Sequence, residues 1–265
     1  MPITYPPVTF PGTEVRMLQS ANVDQEFKLF ISLPQSYDES QDNYPVLYVT
    51  DANWVFRFFH LLGWLAIPPM IVVGIGYPTD DDADIARLRI RDFLPTHDKK
   101  REEAMNEDRN RVVESGGARR FLSFIREELF DFIDTQYRTK TDDRTLFGFS
   151  WGGTFAIYTL FNHPDTFQRY IISAPDLSWD NQICFSYESE YADKFTDLPV
   201  KLYLAVGSLD EDLIEHNFSS LIKFQATVQS RNYPGLSMKL DIFNGETHIS
   251  SVWPVVPRGL QAVFS

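Results

Sequence analysis

Hydrophobic and polar positions alternate early in the chain. Phe27, Leu29, Ile31 and Leu33 are interleaved with Glu26, Lys28, Phe30 and Ser32, a mostly period-two pattern that predicts a strand over 26–33. With residues 15–19 it makes an antiparallel pair. The next apolar runs, Pro45-Val46-Leu47-Tyr48-Val49 and Met70-Ile71-Val72-Val73-Gly74-Ile75, lack charged positions, as strands covered on both faces of a parallel sheet do. Residues 54–66 between them predict a crossover helix. At 118–135 the period lengthens: Phe121, Leu122, Ile125, Leu129, Phe132 and Ile133 fall at helical spacing, with Arg126, Glu127 and Asp131 elsewhere. A polar turn at 139–143 precedes a short apolar run at 144–147, read as a strand, and a largely apolar helix then runs up to His163-Pro164. Strands are predicted at 167–174, 200–206 and 238–243, helices at 212–231 and 251–263.

Two segments show no such period. Residues 79–117 are charged and turn-rich, with Asp80-Asp81-Asp82 and Lys99-Lys100-Arg101. Loops that long in a compact domain are usually functional or disordered, and we read this one as an excursion bordering an active site. Residues 175–196 read as a second, irregular excursion carrying Trp179, Phe185, Tyr187 and Tyr191. Strands alternating with helices imply one α/β domain over 1–265, with a mostly parallel central sheet and helices on both faces. In such sheets the chemistry gathers at the carboxyl ends of the strands.

One turn at such an end stands out. Gly148-Phe149-Ser150-Trp151-Gly152 follows a strand and opens a helix, the nucleophile-elbow pattern that defines the α/β-hydrolase fold. The glycines relieve crowding at a strained serine, and the following N–H groups, Trp151 first, point where an oxyanion would form. A serine hydroxyl needs a base, and the base an acid to orient it, in the chain order Ser, Asp or Glu, His. Of five histidines, His216 and His248 come late enough. His216 falls inside a predicted helix, whereas His248 follows a strand in the loop 244–248 and is the candidate base. Asp210, just past the 200–206 strand, is the candidate acid, with Glu211, Asp212 and Asp176 left open. The second oxyanion donor is expected in the loop after the 46–49 strand, at the N–H of Asn53; helix capping by Asp51 or Asn53 is the plainer reading of that loop.

Composition narrows the partners. The net charge of −13 and pI near 4.8 disfavour nucleic-acid binding, which draws its affinity from Lys and Arg on phosphates. A single cysteine, Cys184, forms no internal disulfide and reads as a small buried hydrophobe. The start lacks a basic and apolar leader, and the apolar stretch 61–76 is divided by Pro68-Pro69, so a soluble, cytoplasmic protein without membrane contact is expected. No cluster has metal-ligand spacing and no cofactor is called for. Arg87, Arg89 and Arg91 alternate, and on an extended segment would share a face, meeting an acidic substrate or offsetting the Asp run.

Several stretches together resemble a known family. They are Tyr44-Pro45-Val46-Leu47-Tyr48-Val49-Thr50-Asp51, Val73-Gly74-Ile75-Gly76-Tyr77-Pro78, Arg89-x-x-Asp92 with Pro95, Ser115-Gly116-Gly117-Ala118, the elbow, Gly245-Glu246-Thr247-His248-x-Ser250-Ser251-x-Trp253-Pro254, and Arg258-Gly259-Leu260. The chain resembles the putative-esterase branch of the α/β hydrolases, which includes the siderophore (enterobactin and salmochelin) esterases and, more distantly, the esterase D or S-formylglutathione hydrolase group. Departures are Ala52 within Asp51-Ala52-Asn53, Phe149 beside the nucleophile, and the stretch 174–179. The resemblance implies a serine esterase with Ser150 as nucleophile and His248 as base. It suggests a small-molecule substrate, either a siderophore-type ester met by Trp54, Arg89, Arg91 and Trp179, or a small acyl ester. An acyltransferase using the same serine, or a non-catalytic protein on the same scaffold, is the alternative; oligomeric state stays open.

Overall fold

A computed structural model of the chain describes residues 9–59, 66–109, 112–210 and 217–265. Among them, eight strands form one sheet: β1 Thr13–Ser20, β2 Gln25–Ser32, β3 Tyr44–Val49, β4 Ile71–Gly76, β5 Thr139–Phe149, β6 Arg169–Ser173, β7 Lys201–Gly207 and β8 Ser237–Phe243. Their spatial order is β1-β2-β4-β3-β5-β6-β7-β8. β1 and β2 pair antiparallel, as does β2 with β4, and every later pairing is parallel. The wholly buried β3 and β4 are the apolar runs without charged positions, and they lie side by side between β2 and β5.

Helices cover both faces. The short turn α1 Ala52–Val55 and the closing helix α9 Val252–Phe264 bury their apolar sides with Leu47, Val49, Phe147 and Ile171 on one face. On the other face Leu146, Tyr48 and Ile172 pack among residues of α4 Ala118–Ser123, α5 Phe130–Gln136, α6 Trp151–Asn162 and α8 Asn217–Ser230. The helix expected at 118–135 is present, with its middle, Phe124–Leu129, wound as a π-helix. The crossover helix expected at 54–66 appears as α1 followed by a 3-10 turn, Phe56–Phe59; its remainder lies outside the described residues. No helix among the described residues is long and apolar enough to cross a membrane.

The two excursions are more ordered than their patterns suggest. Residues 79–117 hold two helices, α2 Asp82–Phe93 and α3 Lys99–Arg109. The buried side of α2 comprises Ile85, Leu88, Arg89, Ile90, Asp92 and Phe93, and the two charges in that set hide the apolar period. Arg87, Arg89 and Arg91 consequently do not line one face of an extended segment. On a helix each step of two residues turns the side chain through about 200°, and Arg89 and Arg91 reach different partners, Asp51 and Asp92. Residues 175–196 contain α7 Trp179–Ala192, whose start is broken by Asp180, Asn181 and Gln182 at positive φ. β5 also begins at Thr139, so the expected polar turn at 139–143 is a polar strand extension with exposed residues at 140–142.

Ile90, Leu94, Val113 and Trp179 form a small separate core that joins the two excursions. Trp179 is fully buried there and its indole N–H donates to the Thr96 carbonyl at 3.2 Å. Cys184 is buried nearby on α7, and burial pushes its thiol well above the ordinary range. It is therefore expected to resist iodoacetamide in the folded protein at pH 8 and to label at once in guanidinium, as mass spectrometry of the two samples would read.

Candidate active site

Ser150 sits between β5 and α6 with φ 56 and ψ −124, a strained conformation for a residue with a side chain. The turn is held by Ser150 N–H donating to the Ser173 carbonyl at 2.9 Å and by Thr154 N–H donating to the Ser150 carbonyl at 3.1 Å. Its tightness explains the two glycines of the motif. A Cβ on Gly148 would overlap the Gly152 carbonyl, and one on Gly152 would overlap Thr50 Oγ1. The same contact shows that the start of α6 is pressed against the loop after β3.

His248 and Asp210 come from two neighbouring loops that are bonded to each other. Ser208 N–H donates to Phe243 O at 2.9 Å, Leu209 N–H to Glu246 O at 3.0 Å, and Gly245 N–H to Ser208 Oγ at 2.9 Å. Gly207 is required because a Cβ there would strike the Glu246 carbonyl. These bonds set the carboxylate of Asp210 beside the imidazole, with Nδ1 3.0 Å from each Asp210 oxygen. Both groups are buried, at 0% exposure for Asp210 and 4% for His248. Asn217 Nδ2 donates to Asp210 Oδ2 at 2.9 Å, and the Phe149 ring packs on the imidazole at 4.9 Å between centroids. Ser251 Oγ donates to the His248 carbonyl at 2.9 Å and pins the loop from behind.

Ser150 and His248 line one cavity of about 800 Å³. No hydrogen bond joins the Ser150 hydroxyl to the ring among the described residues; in unliganded sites such bonds are commonly long and tighten on binding. Asp176, the other described carboxylate weighed as the acid, is engaged elsewhere. It accepts from Arg101 Nη2 at 2.8 Å and Trp151 Nε1 at 3.1 Å, with Ser178 Oγ on its other oxygen. Glu211, Asp212 and His216 lie outside the described residues.

The expected substrate-binding set fares unevenly. Trp54 lines the cavity, its indole N–H bonded to Asp82 Oδ1 at 2.8 Å. Arg89 also lines it, but its charge is taken up by Asp51 through a bidentate pair at 2.6 and 2.8 Å. Arg91 and Trp179 are not among the lining residues: Arg91 is spent on buried Asp92, and Trp179 is in the satellite core. Burial raises the Asp92 carboxyl, against the lowering effect of Arg91 and Tyr77. Asn53 is likewise absent from the lining, and its side chain secures the end of β4 through Tyr77 and Thr79.

In their place the walls present Arg57, Phe58, Arg101, Met105, Ile249 and Trp253. Trp253 is 64% exposed at the mouth and its ring lies 4.2 Å from that of Phe58. Trp253 belongs to the quoted His248 motif and was open to selection on that ground. Phe58 and Arg57 carry no local signal, because only the fold brings the end of the crossover segment to the His248 loop.

An elbow serine at the carboxyl edge of β5, in one cavity with a histidine bonded to a buried aspartate, on a mostly parallel eight-stranded sheet, defines an α/β hydrolase. The comparisons carry this further. The model of the putative esterase family matches residues 20–253. The chain is 33% identical to the ferri-bacillibactin esterase BesA of Bacillus subtilis strain 168, over 96% of this chain and 90% of that one. The crystal structure of the BES protein from Bacillus cereus superposes with a TM-score of 0.86 at 27% identity, covering 100% of this chain and 99% of that one. The siderophore hydrolase EstB of Aspergillus nidulans shares the fold at a TM-score of 0.82 and 20% identity, over 98% and 97% of the two chains. The chain belongs to the putative esterase family and is a carboxylic ester hydrolase.

Proposed function

We propose that the protein hydrolyses a siderophore-type ester through an acyl-enzyme, with Ser150 as nucleophile, His248 as base and Asp210 as its orienting acid. Nε2 of His248 takes the proton as Ser150 Oγ attacks the acyl carbon, and the resulting imidazolium gives that proton to the departing alkoxide. Water then repeats the sequence on the acyl-serine and releases the acid. The backbone N–H groups of Trp151 and Asn53 carry the negative charge of each tetrahedral intermediate. The observation that supports this reading most is the His248–Asp210 bond at 3.0 Å in the cavity that Ser150 lines.

Three features favour a siderophore-type substrate over a small acyl ester. Relatives whose names carry bacillibactin, triacetylfusarinine C and enterobactin all align with this chain. A cavity of about 800 Å³ is in the range that encloses a drug-sized molecule. Its mouth offers the Phe58–Trp253 ring pair for aryl groups. The same relatives are esterases, which disfavours the acyltransferase and binding-protein alternatives. Incubation of the protein with the ferric complex of a cyclic catecholate tri-ester, followed by mass spectrometry, is expected to show stepwise ring opening with one water added per cleaved ester. Turnover of a chromogenic acetate ester with no cleavage of the tri-ester would overturn the substrate assignment.

A further inference from the structure

Asp51 stands immediately before α1 at φ 59 and ψ 30, and its side chain makes no bond to that turn. An aspartate that caps a helix ordinarily has an extended backbone and folds its carboxylate back onto the second or third N–H; Asp51 does neither. Here both oxygens are drawn to Arg89, whose Nε donates to Oδ1 at 2.6 Å and whose Nη2 donates to Oδ2 at 2.8 Å. The guanidinium is itself caged: its carbon lies 4.9 Å from the Trp151 ring, 5.4 Å from Trp54 and 5.7 Å from Phe93. Both indoles are fixed in turn, Trp54 on Asp82 and Trp151 on Asp176. The pair is almost sealed, with side-chain exposures of 9% and 1%. Trp54 and Val55 N–H groups bond the Asp51 carbonyl, which leaves the amides ahead of them, at Ala52 and Asn53, outside that pair of bonds. The elbow is close by, since a Cβ on Gly152 would lie 3.2 Å from Asp51 Oδ2.

We propose that Arg89 is a positioning residue for ester hydrolysis: it holds the Asp51 carboxylate away from the backbone of residues 52–53 and so keeps that backbone open to the oxyanion. The assignment rests on the reading of Asn53 N–H as the second oxyanion donor. A carboxylate left without Arg89 is a buried charge in search of donors, and the amides of residues 52–53 follow it directly in the chain. Lysine cannot substitute, because a point charge does not grip two oxygens and does not lie flat between indoles.

The test uses a neutral short-chain ester, so that no charge on the substrate reaches Arg89, and a boronic acid that mimics the tetrahedral state. Arg89→Met is expected to lower kcat by about 10²- to 10³-fold, the loss that follows removal of one oxyanion donor, with KM changed less than threefold and boronate affinity falling in parallel. Arg89→Lys is expected to fall nearly as far. Combining Arg89→Met with Asp51→Gly, which removes the carboxylate and tolerates the positive φ, is expected to recover at least tenfold in kcat. A raised KM at unchanged kcat in Arg89→Met would make Arg89 a substrate contact and overturn the proposal. So would a double variant no faster than Arg89→Met when thermal unfolding shows both folded. Should Arg89→Met not fold, Arg89→Lys decides, and an unchanged kcat in it overturns the proposal. A wild-type protein that cleaves no ester would instead defeat the functional reading itself.

Discussion

Replacing Ser150 by alanine is expected to lower kcat by about five to six orders of magnitude while leaving KM within a few-fold of its original value. The reason is positional. The elbow holds its residue at φ 56 whatever the side chain, so alanine keeps the turn, the cavity and the oxyanion amides and removes only the attacking oxygen. Thermal unfolding should hardly move, since serine and alanine bear the same strain at that φ. His248→Ala should cost about as much, and the double variant scarcely more than either, because the two side chains act on one step and their losses do not add. The measurement is hydrolysis of a chromogenic short-chain ester by the three variants, with fluorophosphonate labelling of position 150 in parallel. Turnover near the wild-type rate in the serine variant would end the acyl-enzyme mechanism.

How much of this was legible along the chain depends on whether the relevant contact is local. β3, β4, β6 and β7 are short apolar runs between turn residues, β8 alternates Met238, Leu240 and Ile242 with Lys239 and Asp241, and each lies within a residue or two of its expected place. The elbow was legible for the same reason: Gly148 and Gly152 answer clashes within a few residues or with one adjoining loop. α2 was not, because Arg89 and Asp92 occupy its buried side and satisfy partners far away in sequence, Asp51 and Tyr77. An apolar period is visible only when the core is apolar. α3 was not for the opposite reason: Lys99–Arg109 is almost wholly polar and has Met105 alone to set against the satellite core. The cavity wall shows the same divide. Trp54 sits next to the loop that flagged it, whereas Arg57, Phe58 and Trp253 meet only after the crossover segment and the start of α9 are brought together. Asn217, which fixes the Asp210 carboxylate, begins α8 seven residues beyond it and has no motif of its own.

That asparagine gives the Asp210 assignment its sharpest consequence. Asp210→Asn is expected to lower kcat by about 10⁴-fold near neutral pH, the loss seen when a triad carboxylate becomes an amide. With aspartate in place, the acceptor oxygens face Nδ1 of His248 at 3.0 Å, so Nδ1 keeps the proton and Nε2 is free to take one from Ser150. An asparagine there has one oxygen and one NH₂, and Asn217 Nδ2, donating at 2.9 Å toward the Oδ2 side, claims the oxygen. The NH₂ is thereby turned to the imidazole, which must accept on Nδ1 and carry its proton on Nε2. In that tautomer His248 cannot act as a base toward the serine. The loop bonds from Leu209 to Glu246 and from Gly245 to Ser208 do not involve the carboxylate, so the variant should fold and bind substrate with little change in KM. Kinetics with the chromogenic ester and the rate of fluorophosphonate labelling should fall together, since both require a deprotonated Ser150 Oγ in the attacking step. A decrease of less than about tenfold in both would contradict the 10⁴-fold loss expected of a triad acid, and would assign the orienting role to another carboxylate.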